Sequence, residues 1–397
     1  MPSLSVLSTE FLDGLTCHEV APPERRVSFI DTLTLDQTEY PLDWLVDGIL
    51  VAGQPAIVGG AKKVLKTSIL VDLAFALGTG GSFLGRFRAE QRRRVGVISG
   101  ESGQATLQET YRRVRQSRQF PEQAASTSVF WSFRLPQLTS KADLLDLERA
   151  ITEHALEVVV FDPLYLALLA GNSDIQASNL YQIGPLLADV AQLCLEAGAT
   201  PILAHHTRKS TGLNFEPAEL EDLAFAGVQE YARQWWLIGR REKYQPGTGN
   251  HKIWLNIGGS VGFSGLWAVD IDEGQVRADF GGRRWDVSVR SATEERTAQQ
   301  RQRDQRQTEQ DFEERQRIVQ VLERHPEGES KSRIGSLARL GRAKVDRLLD
   351  ALIEAGEVEE TTVRRAAGGA GQRGYAGYKL VDNDGEEVDD VTDGTEE

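Results

Sequence analysis

The segment with the clearest chemistry is GGAKKVLKTS, made of Gly59, Gly60, Ala61, Lys62, Lys63, Val64, Leu65, Lys66, Thr67 and Ser68. It follows the apolar stretch AIV and opens a long apolar one, SILVDLAFAL. A loop leading from a strand into a helix points unpaired N–H groups and the positive end of the helix dipole at one spot, and phosphate is its natural occupant. A lysine opening the helix adds a full charge, and the hydroxyl after it can ligate Mg²⁺. From Gly60 to Thr67 the spacing satisfies GxxxxGK[ST] at every required position except Leu65, where the motif has Gly. That departure leaves three readings open: a loop with a different backbone path, a degenerate site that no longer turns nucleotide over, or a strand-to-helix connection with a solvated lysine.

Further groups suited to the same chemistry follow in order. VGVISGES carries Glu101 just past a strand-like run, at the edge where ligands bind in open α/β sheets, and its carboxylate can take a proton from water. EVVVFDPL ends its apolar run at Asp162, the form of a Walker B segment, whose carboxylate orients the Mg²⁺ shell that Thr67 also touches. PILAHHTRK closes the next apolar run with His205 and His206, which can sense a γ-phosphate and pass its presence on; no third ligand stands near enough for a metal site. Around WWLIG stand Arg233, Arg240 and Arg241. In a ring of subunits such an arginine could reach a neighbour's γ-phosphate, a contribution of ~10³ to 10⁵ in rate in other P-loop systems, and Arg240 ranks ahead of Arg233 for that role. Each residue also has an ordinary reading as a turn glutamate, strand-end aspartate, structural histidine or salt-bridged arginine.

These side chains need a scaffold that gathers strand ends. From about 42 to 239, short β-branched runs alternate with longer amphipathic ones, which predicts an α/β fold with a doubly wound, mainly parallel sheet. Between 251 and 289 the pattern changes to short alternating segments, predicted as antiparallel hairpins appended to the sheet edge. Residues 291–313 are almost purely Gln, Arg, Glu, Asp and Thr, the composition of a solvated helix or a flexible linker. ERQRIVQVLERH, SKSRIGSLARL and GRAKVDRLLDALIEAGE then read as three helices, with VEETTVRR and GYAGYKL as a two-stranded wing: a winged helix-turn-helix. The divisions are an N-terminal extension (1–41), a nucleotide domain with its hairpins (42–290), a polar linker (291–313), the winged unit (314–381) and a tail (382–397).

Composition bounds the rest. Apolar residues at 40% and charged residues at 26% of 397 allow one large and one small globular domain. The two cysteines, Cys17 and Cys194, are too far apart and too few for a disulfide framework or a zinc site. Neither a secretory leader nor a membrane span is legible, so a cytoplasmic location is expected. The net charge of −14 opposes indiscriminate binding to nucleic acid, yet nine of the acidic residues lie in 382–397, a tail expected to be solvated and disordered.

In this order GGAKKVLKTS, ISGES, VVVFDP and AHHTRK resemble the RecA-like AAA-family ATPases related to RepA-type plasmid replicative helicases, over residues 42–245. The resemblance implies ATP and Mg²⁺ as cofactors, Lys66 and Thr67 as phosphate and metal ligands, Glu101 as the catalytic base, Asp162 as Walker B, and His205 with His206 as the γ-phosphate sensor. It also implies a homo-oligomeric ring, a hexamer in those helicases, working on DNA. Leu65 puts efficient hydrolysis in question, and the winged unit is foreign to the minimal plasmid helicase. In that unit Arg342, Lys344 and Arg347 are the expected DNA-binding residues of the third helix, with Arg364, Arg365 and Arg373 on the wing. Two further readings stay open: a nucleotide-controlled DNA-binding regulator, and a scaffold with little or no turnover whose winged helix docks protein.

Overall fold

The computed structural model describes residues 29–121, 128–169, 179–208, 214–225, 227–278, 281–367 and 371–381. Cys17, most of the expected N-terminal extension, the side chains of Arg365 and Arg373, and the acidic tail lie outside the described parts. Helix α1 (Thr32–Gln37) and a hairpin of β1 (Trp44–Val46) and β2 (Leu50–Val51) precede β3 (Ala56–Gly60) and α2 (Lys66–Thr79). After the small hairpin β4 (Ser82–Phe83) and β5 (Phe87–Arg88), strands and helices alternate. They are β6 (Val95–Ser99), α3 (Gln104–Ser117), β7 (Val129–Ser132), α4 (Lys141–Glu153), β8 (Val158–Asp162), α5 (Leu164–Leu169), α6 (Leu180–Glu196), β9 (Thr200–His206), α7 (Val228–Tyr231) and β10 (Gln234–Arg240). Three longer strands, β11 (Asn250–Gly259), β12 (Gly265–Gly274) and β13 (Arg283–Ser291), complete a nine-stranded sheet in the order β13-β12-β11-β10-β3-β9-β8-β6-β7.

The six strands from β10 to β7 run parallel, and β11 to β13 add antiparallel. Every residue of β3, β6 and β8 is buried, which is why these runs read as continuously apolar: helices cover both faces of a parallel sheet. One core cluster packs α2 and α3 on one face, and a second packs α4, α5 and α6 on the other. Helix α2 is largely apolar because it is sunk in the first cluster, with every residue from Ile69 to Gly78 buried and the one carboxylate among them, Asp72, bonded to Arg118 and Trp285. Parallel pairing brings the carboxyl ends together: Ser99 lies opposite Asp162, and Gly60 opposite His206. The edge they share is where a ligand of an open α/β sheet binds.

Helix α8 (Ala292–Glu323) leaves the end of β13 and runs unbroken for 32 residues, opened by a capping box between Ser291 and Glu294. Residues 292–313 are therefore helical, and the helix continues through the position where a domain boundary was expected. Its polar surface is held by side-chain pairs one turn apart, including Gln300–Asp304 and Gln307–Asp311 at 2.8 Å and Gln310–Glu314 at 3.0 Å. Its foot is fixed by Arg241 and Arg290, which both bond Asp270 and Glu295. Helices α9 (Lys331–Ala338) and α10 (Arg342–Glu354) and the antiparallel pair β14 (Val358–Ala367) and β15 (Gly371–Leu380) close a third cluster with the end of α8, around Ile318, Leu322, Leu349 and Tyr378. Among the described residues no helix is long and apolar enough to cross a membrane.

Candidate nucleotide site

In the loop between β3 and α2, the position where the motif has Gly takes a backbone conformation that Gly favours. Leu65 sits at φ 66°, ψ 22°, the left-handed conformation that Gly adopts at no steric cost. For an L-residue this conformation costs about 1–2 kcal/mol, and Leu65 offsets part of it by packing on the first core cluster beside the buried Val64. Gly60 is irreplaceable for a different reason: a Cβ there would meet the Ile238 carbonyl oxygen at 2.8 Å and Val64 Cγ2 at 2.9 Å.

Lys66 is 7% exposed, and its ammonium donates to the carbonyls of Gly60 (2.7 Å) and Ala61 (2.9 Å) and to His206 Nδ1 (3.1 Å). Burial pulls its pKa down to about 8, against the charges of Asp162 and Glu101. The Thr67 hydroxyl donates to Asp162 Oδ2 at 2.6 Å, and burial raises the Asp162 pKa against that bond and the charge of Lys66. A buried carboxylate short of compensating charge, paired with a hydroxyl at a helix start, suits a hard cation that takes its remaining ligands from phosphates and water. Among the described residues no group of three His, Cys, Asp or Glu side chains is placed to hold a metal ion.

The two histidines part company. His206 faces Lys66, and burial together with that charge lowers its pKa, leaving a neutral acceptor at pH 7. His205 points to the other face of the sheet, fully buried, with Nε2 donating to the Ala224 carbonyl at 3.0 Å and its ring 4.9 Å from Phe225. Its pKa falls to about 4, from burial above all. Only His206 reaches the phosphate loop, because neighbouring strand residues face opposite ways.

The three arginines have different settings within this chain. Arg240 Nη2 donates to the Lys63 carbonyl of its own loop at 2.6 Å and lies over the Tyr244 ring, so it braces this chain's site. Arg233 is exposed before the start of β10, at the opposite sheet edge from the loop. Arg241 is committed to the foot of α8. Lys62 and Lys63 are exposed.

Two contributors were not anticipated from sequence. Arg113 of α3, 4% exposed, donates to the Ser68 hydroxyl at 3.0 Å, bonds Glu273 of β12 and lies over Trp285. Tyr165 of α5 donates its hydroxyl to Glu101, which stands exposed beyond the end of β6. Neither position carries a local signal, since each contact joins segments distant in sequence.

In the C-terminal unit, Lys344 and Arg347 turn toward α8: Lys344 bonds Glu314 at 2.5 Å, and Arg347 grips Asp311 with two bonds of 2.5 and 2.7 Å. These two of the three expected DNA contacts are thus engaged within the chain. Arg342 is exposed and makes no ion pair among the described residues.

Residues 21–212 match the family described as an AAA domain, a class whose P-loop members take ATP, usually with Mg²⁺. The mixed, mostly parallel sheet is consistent with the RecA-like form of it. Among solved structures the chain is similar to a KaiC-like protein, PH0186, from the hyperthermophilic archaeon Pyrococcus horikoshii OT3, at 15% identity and a TM-score of 0.40, over 62% of this chain and 93% of that one. No curated protein matches it.

Proposed function

We propose that this chain hydrolyses ATP at the edge formed by β3, β6, β8 and β9, with Glu101 as the base. The observation that carries the reading is the meeting of two bonded pairs, Lys66 with His206 and Thr67 with Asp162, at the start of α2, with Glu101 one strand away. Bound ATP would take the Lys66 donors now spent on Gly60, Ala61 and His206. Thr67 and Asp162 would hold Mg²⁺, which supplies positive charge against the phosphates. Glu101 accepts a proton from water as the water oxygen bonds the γ-phosphorus and the bond to the β–γ bridging oxygen breaks, leaving ADP and phosphate. Titration calorimetry with Mg·ATP tests the binding half: micromolar affinity in the native chain and none in Lys66→Ala. Equal affinity in the two would remove the loop from the account.

The reading extends to DNA as the partner of the C-terminal unit and to assembly of several copies, as the resemblance to replicative helicases implies. Three helical segments and a hairpin in one small core support the first, together with exposed Arg333, Arg339 and Arg342, none in an ion pair among the described residues. Arg240, which bonds the Lys63 carbonyl of its own loop here, is the first candidate for a site shared between copies, and Arg233 the second. Sedimentation with and without Mg·ATP tests assembly, and a monomer in both states would end it.

A further inference from the structure

Tyr165 joins the two halves of the candidate site. Its hydroxyl bonds Oε1 of Glu101, and its ring lies 5.2 Å from that of His206, tilted by 46°. His206 in turn sets Nδ1 3.1 Å from Lys66 Nζ. One continuous path therefore runs from the lysine that meets the phosphates to the carboxylate that meets the water. From this geometry we infer that Tyr165 is a positioning residue, a latch that holds Glu101 at rest and releases it when phosphate occupies Lys66. The inference rests on the ATPase reading above.

Lys66 has three protons to donate, and all three are taken, by Gly60, Ala61 and His206. Phosphate oxygens arriving at Lys66 displace these acceptors, so His206 loses the donor that fixes its ring. The Tyr165 ring stands 5.2 Å from that of His206, so a shift of His206 changes the setting of Tyr165. The bond from Tyr165 also matters to Glu101 directly. The Tyr165 hydroxyl holds the Glu101 carboxylate by Oε1, so Glu101 must leave Tyr165 before that oxygen can turn to a water. Packing alone does not require the hydroxyl, since Tyr165 is only half-buried. The phenol registers the same contact: the bond to Glu101, with burial behind it, pushes its pKa up to about 12.

Tyr165→Phe keeps the ring and removes the latch. We expect its kcat for ATP to rise about fivefold, the worth of one net hydrogen bond, with KM within twofold of the native value. Loss of a merely structural contact would not raise turnover. An unchanged or lower kcat would overturn the latch. A second readout does not depend on turnover. With ¹³Cζ-tyrosine in the full chain, the Tyr165 signal, assigned by its absence in Tyr165→Phe, should shift when Mg·ATPγS binds. In Glu101→Ala it should already sit near the shifted position without nucleotide. A signal that stays still while calorimetry shows Mg·ATPγS bound refutes the latch and leaves the ATPase reading standing. Absence of binding by calorimetry brings down both.

Discussion

Adjacent strand residues face opposite ways, and His205 and His206 take on different work because of it. His206→Ala should weaken Mg·ATP binding by several-fold and slow turnover while leaving the thermal midpoint within about 2 °C, since the ring is partly exposed beside Lys66. His205→Ala should leave the site chemistry intact and lower stability by about 2–4 kcal/mol, the usual scale for deleting a large buried side chain. Thermal unfolding read beside ATP titration separates the two, and a reversed pattern would exchange their roles. Leu65 is the second test at single positions. Leu65→Gly keeps the left-handed path and should bind ATP within about threefold of native, whereas Leu65→Ile places a β-branched residue at φ 66° and should lose about tenfold or more. If Ile binds as well as Gly, the backbone conformation is not what makes the loop.

Between elements, the site is held from behind by a chain of contacts running from β12 through Arg113 of α3 to Ser68 of α2. Glu273 anchors it. Burial works to raise its pKa and is overcome by the close approach of His251 (3.1 Å) and the charges of Arg113 and Arg283, so the carboxyl titrates at about 2. Its folded pKa lies below the ordinary 4.5, so its contribution is fully present above pH 4.5 and is lost as pH falls through about 2. Glu273→Gln should therefore be less stable than the native chain by about 2–3 kcal/mol at pH 7, with the difference shrinking below pH 4.5 in denaturant titrations. A difference independent of pH would mean that its charge is not what holds Arg113. These contacts also mark the limit of what the sequence discloses. Lys66, Thr67, Glu101 and Asp162 were legible because each ends or begins an apolar run, so local pattern alone brings them to one sheet edge. Arg113 and Tyr165 were not, because nothing local says which distant segment a side chain will meet. The left-handed Leu65 was equally hidden, since the motif records a residue type while the fold requires a conformation. For 291–313, composition left helix and linker undecided, and the Gln-to-carboxylate pairs one turn apart are the signal that favours the helix.

Across the molecule, α8 ties the sheet to the C-terminal core, and its acidic residues occupy two basic side chains of α10. If the unit binds duplex DNA, Arg342→Ala should flatten the slope of log K against log salt by about 0.9, while Lys344→Ala and Arg347→Ala should leave it unchanged. Fluorescence anisotropy of a labelled duplex at several salt concentrations reads all three, and equal effects from the three would show that the pairs with α8 open on binding. The central claim concerns the other end of the chain and is tested by a single-turnover experiment with γ-labelled ATP and Mg²⁺ on the native protein and on Glu101→Gln. The account predicts that both retain nucleotide and that the native chain releases labelled phosphate at least about 10² faster, since the substitution keeps the shape of the side chain and deletes the base. Equal release from the two, or none from a native chain that holds ATP, would contradict it.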